Sequence, residues 1–193
     1  MGLGQNPSKP YQYHIIEAKW PDKRYTRAHM DEDRLTIDPP LYLIGKMYSC
    51  WRCGAKMPVV AILAPKVEGT EGEICILSGI TELPEAILAY IQGRVSTFKL
   101  KFSKTIGQKY FASTCPKCGV LSGDFHLHSE PGAPFFPTDA HEAASLYMTE
   151  LPVPGRIHAR ASISMGCGDL ILNHARRITS PAGGQGHQIY GIK

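Results

Sequence analysis

The sequence predicts an α+β fold, with two β-hairpins, an inserted strand–helix subdomain and a C-terminal helix and strand extension. Three observations lead to this prediction. Two C-x-x-C-G turns are each flanked by apolar, β-prone runs, which is typical of hairpins. Apolar residues recur at helical spacing in residues 83–92. They alternate with lysines in residues 98–102, which indicates a strand with one apolar face.

The first part of the chain is predicted to be an N-terminal extension, residues 1–40, followed by the first hairpin. Within the extension, YHIIEAKW at 13–20 favours a short strand. Residues 21–40 carry an acidic cluster and the breakers Pro39 and Pro40, and this composition indicates an exposed connection. The runs LYLIGKMYS at 41–49 and AKMPVVAIL at 55–63 flank the turn CWRCG and form the arms of the hairpin.

An insertion is predicted at residues 64–97, between the two hairpins. ICIL at 74–77 is a strand candidate. Residues 83–92 favour a helix, because Pro84 suits its first turn and Gly93 suits its C-terminal stop.

The second hairpin is predicted around the turn CPKCG. FKLKF and KYFAST precede this turn, and VLSGDFHLH at 120–128 follows it as the returning strand. Residues 41–137 would then form one core that contains both hairpins and the insertion.

A C-terminal helix and strand region is predicted at residues 138–178, before a flexible tail at 179–193. Thr138 or Asp139 can cap a helix that runs through about Leu151, and Glu142 completes a capping box with Asp139. Alternation then predicts a strand at 157–163, whereas 169–178 fits either a strand or a short helix. The tail is rich in glycine and lacks acids.

Both cysteine pairs share the pattern C-x-x-C-G. Two intervening residues let both sulfurs reach one metal ion, and the following glycine supplies a positive φ without strain. Four thiolates close the coordination sphere of Zn2+, so a structural zinc ion is predicted on Cys50, Cys53, Cys115 and Cys118. A disulfide is the first alternative. A thioredoxin-type redox pair is the second, although it requires one motif at a helix N-terminus rather than two at hairpin tips.

With these motifs the sequence resembles the zinc-ribbon class, in which two hairpins clamp one zinc ion. It also resembles uncharacterised bacterial zinc-ribbon-like proteins with a CWRCG half, a later CPxCG half and a following GDFxLH stretch. The resemblance covers about residues 41–137 and implies a ribbon fold with structural zinc. It implies no single activity, because ribbons occur in transcription factors, ribosomal proteins and enzyme appendages. The 61 residues between Cys53 and Cys115 exceed the usual spacing of about 15–20, which makes the insertion necessary.

Three polar residues after the second turn suggest a different chemistry. On an extended strand Asp124, His126 and His128 would point to one side and could hold a second, catalytic metal. A metal-dependent hydrolase is therefore the alternative function. The favoured interpretation is the polar outer face of a half-exposed strand, with Phe125 and Leu127 turned inward.

The formal net charge of +4 lies in the C-terminal part of the chain. Residues 151–193 hold five basic residues and one acid, whereas residues 1–150 hold 16 of each. A local basic excess permits an anionic partner. The candidate nucleic-acid-binding residues are Arg160, Arg176, Arg177, Lys99 and Lys101. Alternatively, the arginines form a solvated basic end, and the lysines offset the negative charge of a zinc tetrathiolate.

The remaining features favour a non-enzymatic binding module with structural zinc that binds nucleic acid or a protein. No serine elbow, phosphate loop or dinucleotide fingerprint occurs. At 43% hydrophobic and 20% charged residues, the composition is ordinary for a soluble globular protein. No run of about 18 apolar residues predicts a membrane span. The N-terminal segment MGLGQNPSKPYQYH has no apolar core of the signal-peptide type, so a cytoplasmic location is expected.

Overall fold

The structure, a computed structural model, describes residues 34–178, so the predicted strand at 13–20 and the predicted tail at 179–193 lie outside it. The strands are β1 (Arg34–Ile37), β2 (Tyr42–Ser49), β3 (Lys56–Ala64), β4 (Cys75–Glu82), β5 (Phe98–Ser103), β6 (Gln108–Ser113), β7 (Tyr147–Glu150), β8 (Ile157–Ser164) and β9 (Arg176–Arg177). The helices are α1 (Glu85–Arg94), α2 (Asp124–His128), α3 (Ala140–Ala143) and α4 (Gly168–His174). None of these helices has the length and apolar content required to cross a bilayer.

Seven strands form one mixed sheet in the order β1-β8-β4-β3-β2-β7-β9. Neighbouring strands are antiparallel except β7 and β9, which pair in parallel. β5 and β6 form a separate antiparallel hairpin that contacts the large sheet through β6 and β4.

The centre of the sheet is apolar on both faces. On one face, Val60 and Ile62 of β3 share a buried cluster with Ile91 of α1. On the other face, Val59 of β3 shares a second cluster with Ile171 of α4. Both faces are covered by other elements, which explains why the sequence of β3 is a continuous apolar run rather than an alternating one.

The predicted zinc ribbon of two hairpins, with an inserted subdomain and a C-terminal extension, is wrong. The protein is mostly sheet with four short helices in its described part, an architecture that can be called α+β. β2 and β3, the predicted ribbon arms, lie in the middle of the seven-stranded sheet. β4 pairs with β3 and β8, and β7 pairs with β2, so the predicted insertion and extension belong to that same sheet. The physical reason is that both faces of these two strands are apolar, so both faces must be covered by other elements of structure.

The local predictions had mixed outcomes. α1, β5 and β8 lie where helical spacing and alternation placed them. The predicted N-cap at Asp139 is present, since the N–H of Glu142 donates to its side chain at 2.8 Å. The carboxylate of Glu142 accepts from the N–H of Thr138 at 2.7 Å rather than from that of Asp139, so the reciprocal bond of the predicted capping box is not formed with Asp139. That helix nevertheless ends at Ala143, and β7 occupies the rest of the predicted range. The predicted strand at 120–128 contains α2, and residues 169–178 contain most of α4 and then β9.

Candidate metal centre

The first cysteine turn connects β2 to β3. The N–H of Gly54 donates to the carbonyl oxygen of Cys50 at 2.9 Å, and the N–H of Cys50 donates to that of Ala55 at 2.8 Å. Gly54 has a φ of +68°, a left-handed conformation that glycine adopts without the strain of a Cβ atom. This turn brings the sulfurs of Cys50 and Cys53 within 4.8 Å of each other.

The second cysteine turn repeats the geometry of the first. The N–H of Gly119 donates to the carbonyl oxygen of Cys115 at 2.9 Å, and the N–H of Cys115 donates to that of Val120 at 2.8 Å. Gly119 also has a φ of +68°. One arm of this turn is β6, but the other is only an isolated bridge between Thr114 and Leu121, after which α2 begins.

The four cysteine sulfurs converge between the two turns. All lie within 4.8 Å of one another, with 3.6 Å between Cys50 and Cys118 and 3.7 Å between Cys53 and Cys115. Four sulfurs placed tetrahedrally about 2.3 Å from a zinc ion are roughly 3.8 Å apart. Within residues 34–178 no other group of three or more potential metal ligands converges. The four cysteines could therefore hold a metal ion, and their spacing fits Zn2+.

The electrostatics of this cluster favour binding of a cation. The backbone N–H of Cys118 points at the sulfur of Cys115 and lowers the pKa of that thiol to about 6. The N–H of Val120 acts in the same direction on Cys118. Burial and the neighbouring sulfurs raise the pKa of Cys118 and outweigh this hydrogen bond, so that the pKa rises to about 11. The pKa values of these two thiols thus shift in opposite directions. A divalent cation removes this difference, because it stabilises adjacent thiolates that otherwise repel one another.

Trp51 connects the two turns directly. Its indole Nε1–H donates to the carbonyl oxygen of Leu121 at 3.0 Å, although the side chain is 65% exposed. This hydrogen bond joins a residue between the first two cysteines to one that follows the last two, so the turns contact each other apart from any ion.

The other two cysteines lie outside the cluster. Cys75 and Cys167 are buried in the two cores, and burial raises the pKa of both thiols. Each thiol donates to a backbone carbonyl oxygen at 3.5 Å. They are neutral packing residues rather than ligands.

The three residues of the alternative second metal site are not brought together as predicted. Their segment is the helix α2, on which Asp124 and His128 lie one turn apart on the same side. His128 is buried and Asp124 is half-buried, whereas His126 is exposed. The prediction assumed the two-residue period of a strand, which would have placed all three residues on one face.

The three predicted arginines do not form one surface. Arg160 lies on β8, where its Nε donates to Glu82 at 3.1 Å. Arg176 and Arg177 lie on β9 at one edge of the sheet, five strand spacings or about 24 Å from β8. Their guanidinium groups lie over tyrosine rings of the sheet.

The predicted lysines lie together on the β5–β6 hairpin. Lys99 and Lys101 are joined there by Lys104 and Lys109, and all four are exposed. None of them forms an ion pair within the described part of the chain. Residues 86–123 contain six basic residues and no acid. Averaging the charge over residues 1–150 conceals this concentration, because acidic residues elsewhere in that range balance it.

Comparison with known proteins gives no match. No protein-family model matches the chain, and neither does any curated protein or solved structure. The resemblance of the cysteine motifs to zinc ribbons is therefore supported only by the close approach of the four cysteines.

Proposed function

We propose that the protein is a metal-stabilised binding module, in which the four cysteines hold a structural Zn2+ and the β5–β6 hairpin binds single-stranded nucleic acid. Thiolate-only coordination with tetrahedral spacing supports zinc. The observation that carries the binding proposal is the hairpin itself, where apolar side chains and unpaired lysines are exposed side by side.

The exposed apolar side chains of the hairpin lie on one face, whereas Tyr110 and Ala112 on the other face are buried. Leu100 is 49% exposed and Phe102 is 54% exposed, two positions apart on β5. Phe111 lies opposite Leu100 on β6, and its ring stacks on Phe98 with 5.8 Å between centroids. Phe98 is buried, so the hairpin is anchored at its base while the middle of β5 projects. An exposed aromatic ring on a rigid strand can stack on an unpaired base.

The lysines surround this apolar face. Lys109 lies opposite Phe102 and shares its face. Lys99 and Lys101 occupy the other face of β5. Lys104 follows this strand in the turn to β6. Lysines beside an aromatic platform suit a partner that alternates phosphates with bases. The bases must be unpaired, because a duplex hides their faces in the stack.

The test is fluorescence anisotropy of the full chain with mixed-sequence single-stranded DNA and RNA at two salt concentrations. Phe102→Ala should weaken binding roughly 5- to 150-fold, because loss of base–aromatic stacking costs about 1–3 kcal/mol. It should leave the salt slope unchanged. Replacing Lys99, Lys101 and Lys109 together by alanine should make the log–log slope less steep by about 0.7 per lost phosphate contact.

The matched control removes the same number of charges elsewhere. The triple alanine variant of Arg160, Arg176 and Arg177 should bind as tightly as the wild type. Equal weakening by both triple variants would mean that only net charge matters. Failure of the wild type to bind either single strand at low salt would refute the proposal. Binding to duplex DNA or to anionic vesicles in preference to single strands would identify a different partner.

A further inference from the structure

The large sheet opens between β3 and β4. The two strands pair over only three residue pairs, and β4 then turns away through Gly79, which has a φ of +57°. Side chains replace the missing ladder bonds. The N–H of Val60 donates to the hydroxyl oxygen of Ser113 at 3.1 Å, and the N–H of Gly79 donates to a carboxylate oxygen of Asp124. The opening is thus held apart by polar groups from β6 and α2.

A small cavity, about the size of one water molecule, lies inside this opening. Its polar lining consists of Asp124, His128, Ser78 and Ser113, and the rest of its wall is apolar. His128 is 9% exposed, and its Nδ1 is buried without a hydrogen-bond partner in the described part of the protein. Ser78 and Asp124 keep partial exposure, so the cavity communicates with the surface.

The polar groups of the lining indicate which ligand the cavity binds. A buried nitrogen without a hydrogen-bond partner is destabilising, because nothing offsets its desolvation, so a bound ligand is favoured. An ordered water would satisfy Nδ1, but the carboxylate of Asp124, which accepts the N–H of Gly79, would still have no cationic partner. No basic side chain within residues 34–178 forms an ion pair with Asp124. A cation satisfies both groups, and imidazole nitrogen with carboxylate oxygen is a ligand set of divalent transition metals.

We propose that the opening between β3 and β4 is a second metal site, in which Asp124 and His128 hold one divalent transition-metal ion of the zinc type. The two ligands lie one turn apart on the same side of α2, and both line the cavity. The hydroxyls of Ser78 and Ser113, which also line the cavity, complete the coordination. His126 takes no part, and the site is independent of nucleic-acid binding by the hairpin.

The test is metal stoichiometry of the full chain, measured by elemental analysis after dialysis against Cd2+ and by cadmium NMR. The wild type should bind a second equivalent whose resonance is typical of nitrogen and oxygen ligands, distinct from the thiolate-bound ion. His128→Asn and Asp124→Asn should lose only that second equivalent. His126→Asn is the matched control, because His126 is exposed on the same helix, and it should keep both.

Nitrogen NMR of the imidazole rings in the wild type gives a reading that does not depend on a folded variant. Nδ1 of His128 should shift when the second equivalent binds. If the wild type binds a single equivalent and this resonance does not move, the cavity holds only water and the proposal is overturned. It is equally overturned if folded His128→Asn keeps the second equivalent, or if His126→Asn loses it.

Discussion

Removal of the metal ion should destabilise the whole sheet, because the cysteine cluster joins segments that are distant in sequence. Cys53 and Cys115 are separated by 61 residues. A cross-link that closes a loop of about sixty residues lowers the entropy of the unfolded chain by roughly 14 cal/mol/K, which is about 4 kcal/mol at 25 °C. For a protein of this size, that corresponds to a fall in Tm of about 8–16 °C. Bonds between the ion and the thiolates add to this contribution.

The assay is thermal unfolding of the wild type and of Cys115→Ser, each with one equivalent of Zn2+ and again with excess chelator. Chelation should lower the Tm of the wild type by at least the fall of about 8–16 °C expected from loop closure. The Tm of Cys115→Ser should already be low and should not respond to the chelator. Cys75→Ala is the control, since it removes a buried cysteine outside the cluster and should remain as sensitive to chelation as the wild type.

Two outcomes would contradict this reasoning. One is a metal-free wild type with the Tm of the metal-bound form. The other is a Cys115→Ser variant that chelation destabilises as strongly as the wild type. Either result would mean that the four sulfurs converge without contributing a stabilising cross-link.

Replacement of two glycines by alanine should change the free energy of unfolding in opposite directions, and urea denaturation can measure both changes. Gly168→Ala should destabilise the protein by about 1–3 kcal/mol or more, because the new Cβ would overlap the carbonyl oxygen of Ile74 and approach its Cβ to 2.7 Å. Gly93→Ala should stabilise the protein by about 0.5–1 kcal/mol, since Gly93 lies in α1 and nothing lies within 4 Å of the new Cβ. A neutral Gly168→Ala would show that the contact between α4 and Ile74 relaxes easily.

The cysteine turns could be predicted from the sequence because their determinants are local. The bonds that shape each turn join residues four or five positions apart, and glycine at the end of each turn supplies the positive φ. The neighbours of β2 and β3 could not be predicted in this way. β2 pairs with β7, which follows it by about a hundred residues, and no local pattern specifies such a partner.

The sequence of α2 is compatible with two kinds of secondary structure. DFHLH fits both the alternation of a strand and a single turn of helix, so periodicity cannot separate the two. One signal for the helix was present, since the acid in its first turn complements the helix dipole. The interpretation as a strand placed His126 beside His128, and the helix replaces it with Asp124.

The cysteine cluster is directly joined to the β5–β6 hairpin through the end of β6. β6 ends at Ser113, two residues before Cys115, so a bound ion fixes the end of that strand to the β2–β3 turn. Chelation removes the net negative charge of a zinc tetrathiolate, and charge alone would therefore strengthen binding to single-stranded nucleic acid. We expect the opposite, a several-fold weakening, because a hairpin freed at one end must be ordered on binding. Anisotropy should be measured with and without chelator at a temperature where circular dichroism shows that both forms are folded. Unchanged or tighter binding by the metal-free protein would show that the hairpin is positioned by its contacts with β4 alone.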